Sequence, residues 1–159
     1  MKKLLPIILT LLLVCIAAPY ASAANVVASP QNLSVDGVDA DCDKYNIDGS
    51  NYFKLRDLAK ALKGLDYEFE VKWNAAQQRI DLTSRTAYTP VGGEQAALPA
   101  GNKAASLTSA AVYLDGKPLS LTAYSIGGNN YFKLRDLVFA LGFSVDWDNA
   151  TSTVTISAQ

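Results

Sequence analysis

Asn51-Tyr52-Phe53-Lys54-Leu55-Arg56-Asp57-Leu58 returns 79 residues later, unchanged, as Asn130-Tyr131-Phe132-Lys133-Leu134-Arg135-Asp136-Leu137. The match extends in both directions. Upstream, Val35-Asp36-Gly37 answers to Leu114-Asp115-Gly116, and Tyr45-Asn46-Ile47-Asp48-Gly49 to Tyr124-Ser125-Ile126-Gly127-Gly128. Downstream, Ala61-Leu62 answers to Ala140-Leu141. Trp73 and Trp147 then match at an offset of 74, so the first copy holds five extra residues within 63–70. Each copy ends in an alternating stretch, Arg79-Ile80-Asp81-Leu82 and Thr153-Val154-Thr155-Ile156. Internal self-similarity of this kind sets the organisation of a chain before any single residue is considered.

Both copies predict the same string of elements: three strands, a helix, two strands. Asp36-Gly37 and Asp115-Gly116 are tight-hairpin signals, as are Asp48-Gly49 and Gly127-Gly128, because such turns need positive φ. Leu55, Leu58, Ala59 and Leu62 fall at helical spacing on one face, and so do Leu134, Leu137, Val138 and Leu141. Asp57 and Asp136 sit in the first turn, where a carboxylate offsets unpaired N–H groups. Gly64 and Gly142 suit the helix ends. The expected fold class is α+β: two repeats, each a short antiparallel sheet of about five strands curled around one helix. Copies this small are expected to pack together or to share strands, with pseudo-twofold symmetry.

Around the repeats, residues 1–23 read as a signal peptide: Lys2 and Lys3, an apolar run from Leu4 to Ala18, then Ala21-Ser22-Ala23, with cleavage expected before Ala24. The run is shorter than the roughly 20 residues needed to span a bilayer, so no stable membrane insertion is expected after cleavage. Val14 before Cys15 disfavours a lipoprotein signal. The expected location is outside the cell or in its envelope. The domain division is 24–84 for the first repeat, 85–110 for a linker rich in Ala, Gly, Ser, Thr and Pro, and 111–159 for the second. Within the linker, Ala87-Tyr88-Thr89-Pro90-Val91 is expected to be ordered on the surface.

The 159 residues carry 14 Lys+Arg, 15 Asp+Glu and no histidine. There is no basic excess for nucleic acid, no imidazole base and no His-ligated metal. Without residues 1–23 only Cys42 remains, so no intramolecular disulfide is available.

The string Asn-Tyr-Phe-Lys-Leu-Arg-Asp-Leu, a short helix, then Trp-Asn or Trp-Asp and a Thr-Val-Thr-Ile-like strand, resembles the copper amine oxidase N-terminal-like, or stalk, domain of secreted Gram-positive bacterial proteins. The resemblance covers both copies, as two tandem units. It implies an antiparallel sheet curled around a helix and an accessory role on exported proteins. It implies no copper chemistry, because the oxidase catalytic domain needs histidine ligands that this chain lacks.

Several clusters invite a chemical reading. Asp39, Asp41 and Asp43 have calcium-loop spacing, but Lys44 and Ser50 occupy positions where Gly and a bidentate Glu are needed. A strand with Ala40 and Cys42 inward and Asp41 and Asp43 in water is the simpler account. Cys42 aligns with Leu121 and is expected to be a buried, inert thiol. Alternation along Tyr52-Phe53 and Tyr131-Phe132 predicts one exposed aromatic per copy, and Trp73 and Trp147 are expected partly buried beside the helix. The expected binding surface is Tyr52, Lys54 and Arg56 with Tyr131, Lys133 and Arg135. No catalytic residue, metal or cofactor is assigned. The expected role is a non-catalytic module that contacts wall glycan or another exported protein. A purely structural spacer acting by sheet-edge pairing is the alternative, and an enzyme ranks below both.

Overall fold

The computed structural model describes residues 24, 26–96 and 104–158. The expected signal peptide lies outside the described residues. In chain order the first half holds β1 (Val26–Ala28), β2 (Asn32–Val35), β3 (Val38–Asp39), β4 (Lys44–Ile47), β5 (Ser50–Lys54), α1 (Leu55–Ala61), β6 (Phe69–Asn74) and β7 (Arg79–Ser84). The second half holds β8 (Ala105–Leu107), β9 (Ala111–Leu114), β10 (Lys117–Leu119), β11 (Ala123–Ile126), β12 (Asn129–Lys133), α2 (Leu134–Leu141), β13 (Ser144–Asp148) and β14 (Thr153–Ser157). The protein is therefore mostly sheet with two helices, an α+β fold.

The expected hairpin turns form as read. Asp36 and Gly37 have φ of 48° and 79°, and Asp115 and Gly116 have 51° and 77°, the doubly positive geometry that matches strand twist. The second helix ends at Gly142 in the left-handed conformation, as expected. The first does not end at Gly64. It closes at Leu62, whose N–H reaches the Leu58 carbonyl, and the extra residues of this half then turn before β6.

The strands are shared between halves rather than kept within them. One six-stranded antiparallel sheet runs β1-β4-β5-β12-β11-β8. At its centre Phe53 pairs with Phe132, its own counterpart, and the neighbouring pairs exchange: Lys54 with Tyr131, Tyr52 with Lys133. Two four-stranded sheets flank it, ordered β10-β9-β7-β6 and β13-β14-β2-β3. In each, the opening hairpin of one half joins the closing hairpin of the other through a parallel pair, β7 with β9 and β14 with β2. The expected self-contained unit of five strands around one helix is thus not what the chain builds. A half alone would leave the edges of β2 and β7 unpaired, and the other half supplies the missing ladder. Strand β8 lies within the interval read as linker and pairs with β11 as β1 pairs with β4.

Tyr52 and Phe53 point to opposite faces of β5, as alternation requires, yet both are buried, at 6% and 1% exposure. Tyr131 and Phe132 are buried as well. The expectation of one exposed aromatic per copy is therefore wrong: Tyr52 and Tyr131 are buried among side chains of neighbouring strands of their own six-stranded sheet. The phenylalanines join the main core with the leucines of both helices. The tyrosines form a second cluster with Tyr45, Ile47 and Ile126. There Tyr45 meets Tyr131 edge-on at 5.3 Å between ring centroids, and Tyr52 meets Tyr124 edge-on at 5.1 Å. Such contacts add to the area these rings bury.

Cys42 is buried as expected, at 7% exposure, and Asp41 is in water. The expected strand is not there, since residues 40–43 join no ladder, and Asp43 is half-buried rather than in water because its carboxylate accepts a 2.7 Å hydrogen bond from the Tyr131 hydroxyl. Burial, followed by the nearby Asp57 carboxylate, pushes the Cys42 thiol well above its ordinary pKa. The thiolate is the reactive form, so alkylation of Cys42 in the native protein at pH 8 is expected to proceed only as fast as the fold opens. In denaturant, labelling should be complete within minutes. Equally rapid labelling without denaturant would contradict this account.

Candidate functional site

Two grooves occupy equivalent places in the two halves. The first, about 440 Å³, lies between Lys133, Arg135, Asp146 and Trp147 on one side and the turn glycine Gly49 with the first residues of β5, Ser50 and Asn51, on the other. The second, about 320 Å³, lies between Lys54, Arg56, Lys72 and Trp73 and the turn glycine Gly128 with the first residues of β12, Asn129 and Asn130. Each therefore sets the helix start and the tryptophan strand of one half against the central hairpin turn of the other. Trp147 is 40% exposed and Trp73 47%, so each indole has a face in water. The Trp147 indole N–H donates to Asn149 at 2.6 Å, which fixes that ring.

Four of the six residues expected at a binding surface line these grooves: Lys54 and Arg56 in one, Lys133 and Arg135 in the other. Tyr52 and Tyr131 do not. They are buried in the tyrosine cluster, on the face of the central sheet opposite Phe53, Phe132 and the helix leucines. Burial, then the hydrogen bond to Asp43, pushes the Tyr131 hydroxyl far above its ordinary pKa. The tryptophans are the groove residues that a choice centred on the tyrosine motif passes over. The available signal was their matched place in both copies, on strands whose alternate residues are charged.

The cations of the two grooves differ in their commitments. In the first half, residues 85–96 fold back over the helix start as a strap. Lys54 Nζ lies 3.2 Å from Asp57 Oδ1 and donates to the Gly93 carbonyl at 2.8 Å. Asp57 also accepts the Asp43 N–H at 2.9 Å and the Gln95 N–H at 2.8 Å. Arg56 Nη1 donates to the Val71 carbonyl and the Tyr88 hydroxyl, both at 3.3 Å. Tyr88 is not a surface residue as expected but is 1% exposed within the core. Its hydroxyl donates to Glu94 at 2.6 Å, and that bond, with the Val91 N–H, holds the Glu94 carboxyl down at about 2. Burial and the Glu94 partner push the Tyr88 hydroxyl up to about 12. In the second half, the side chains of Lys133 and Arg135 make no hydrogen bond or ion pair with another described residue.

Among the described residues no group of three metal-ligating side chains occurs, and no helix is long and apolar enough to cross a membrane. The arrangement offers indole faces, cations and amide groups along open grooves, which suits holding a polar chain. The class so defined is a sheet-rich α+β module whose surface features are suited to contact. The family model of the copper amine oxidase N-terminal domain matches residues 34–156 in a single span, and the chain belongs to that family. The single span covers both halves, as the shared sheets do. In copper amine oxidases this domain is not the catalytic part. No curated protein and no solved structure matches the chain.

Proposed function

We propose that the chain is an exported, non-catalytic module of the bacterial cell envelope, built from two copies of one half-domain, that contacts wall glycan through its two tryptophan grooves. The observation that carries this reading is the equivalence of the grooves. Each places a half-exposed indole beside a lysine, an arginine and side-chain amides at matching positions of the fold. Sugar rings stack on indole faces, while the amides of both grooves, and Lys133 and Arg135 in the Trp147 groove, hydrogen-bond their hydroxyl and carboxylate groups. Two similar grooves on one rigid body gain by avidity on a repeating polymer. Sheet-edge pairing is the second reading: the outer strands of the six-stranded sheet, β1 and β8, are three residues each, a short template, while the flanking sheets end in β6 and β13, of six and five residues, where a partner strand would add.

Cosedimentation of residues 24–159 with purified wall sacculi tests this reading. Binding is expected to persist at high salt, since stacking is not screened as exposed charges are. Trp73→Ala and Trp147→Ala should each weaken a groove by about 2 kcal/mol, roughly thirtyfold, and the double variant should release the wall. Wall binding that survives in the double variant, or no binding at either salt, would remove the glycan reading.

A further inference from the structure

We propose that the corner formed by Lys133, Arg135 and Asp136 binds a bent, glycine-containing polypeptide segment of a partner, through the contacts that the chain's own strap makes at Lys54, Arg56 and Asp57. The strap serves as a bound ligand already present on the equivalent corner. Its Gly93 carbonyl sits on Lys54, its Gln95 N–H sits on Asp57, and its Tyr88 hydroxyl takes the Arg56 guanidinium. Two of these contacts use backbone groups, presented by a turn with positive φ at Gly92, Gly93 and Gln95.

The second corner has the same side chains and the same backbone. Lys54 has φ −63° and ψ 120°, and Lys133 has φ −62° and ψ 116°. What differs is the cover. Asp57 is fully buried and Lys54 is 4% exposed beneath the strap, whereas Arg135 and Asp136 are exposed and Lys133 is half-buried. None of these three second-half side chains has a hydrogen bond or ion pair with another described residue. One strap anchor has no counterpart: Glu70, which accepts the Thr89 N–H at 3.3 Å, aligns with Ser144. A segment at the second corner is therefore held by three side chains rather than four. The partner chemistry follows from the strap: a bent, glycine-containing segment with a tyrosine and, six residues on, a glutamate. Within the strap that glutamate accepts the Tyr88 hydroxyl and the N–H groups of Val91 and Gly92, which sets the bend.

This goes beyond the glycan reading, and Lys133 and Arg135 also line the Trp147 groove. The groove beside Trp73 stays open at about 320 Å³ with the strap in place, so a segment on the second corner leaves the Trp147 groove accessible.

The test uses a fluorescent peptide with this chain's own residues 87–96, titrated against residues 24–159 by fluorescence polarisation. Saturable binding is expected. The Lys133→Ala, Arg135→Ala double variant should weaken it at least tenfold, and circular dichroism checks that this variant is folded. A peptide carrying Tyr88→Phe and Glu94→Gln should bind severalfold more weakly, a readout independent of the protein's folding. Trp147→Ala should bind the peptide normally even where it loses the wall, which separates this proposal from the glycan reading. No saturable binding up to millimolar protein, equal binding by a scrambled peptide, or binding untouched by the double variant would overturn it. Displacement of the peptide by soluble wall glycan would also overturn it, by assigning the corner to the glycan groove.

Discussion

Asp57→Ala is expected to be among the most damaging single substitutions in this protein, and Asp136→Ala at the identical motif position to be nearly silent. Asp57 is fully buried and gathers three partners: Lys54 Nζ at 3.2 Å, the Asp43 N–H at 2.9 Å and the Gln95 N–H at 2.8 Å. Its loss leaves a buried ammonium without a counter-charge and two N–H groups without acceptors. Breaking a buried pair from one side costs about 3–5 kcal/mol, a large part of the roughly 5–15 kcal/mol that stabilises a typical domain. For a chain of this size that corresponds to a fall in Tm of about 10 °C or more. Asp136 is exposed and joins no hydrogen bond or ion pair with a described residue, so its removal should stay within about 0.5 kcal/mol. Thermal unfolding of the two variants beside the parent chain is the measurement. Equal shifts would mean that the strap does not distinguish the two corners.

That contrast shows where the sequence is legible. The eight-residue repeat locates both helices and the central hairpins, because turn chemistry and helical periodicity are local. The burial of Tyr52 and Tyr131 is not local. Alternation places them on the face opposite Phe53 and Phe132, but it cannot say that Tyr45 and Tyr124, their cross-strand partners on that face, pack edge-on against them. The parallel pairs are equally hidden. Ile80 opposite Val112 and Val154 opposite Leu33 satisfy the same apolar pattern that pairing within one copy would satisfy. Strands β1 and β8 are three-residue stretches, Val26-Val27-Ala28 and Ala105-Ser106-Leu107, with too few residues to show a period. The strap was the hardest to read. Its Gly, Pro and Thr residues are loop-forming by composition, and what ties it down is the buried ring of Tyr88 together with bonds to the buried Lys54, Asp57 and Glu70, which lie far away in sequence. Of the candidate site, the cations were legible from the motif, while the tryptophans needed the third dimension to bring them alongside.

The shared sheets carry the largest expected effect. Cut within 97–103 and expressed separately, neither half should give a folded monomer. The first half would keep β2 without β14, β7 without β9, and β5 without β12. Its core would open too, because Leu33 and Val35 pack in one cluster with Val154 and Ile156, and Phe53 with Phe132. Domains near 60 residues are marginal even with a complete core, and here both the apolar cover and the ladder hydrogen bonds come from the other chain segment. Each isolated half should therefore lack a cooperative thermal transition, and mixing the two should restore one together with native circular dichroism. The equivalence of the halves allows one further outcome in the same direction. Because Phe53 pairs with its own counterpart, a second copy of the first half can take the place of the missing one, and sedimentation would then show a folded dimer with no folded monomer. A half that unfolds cooperatively as a monomer would contradict the shared architecture, since its parallel-paired strands would have to find partners inside the same copy.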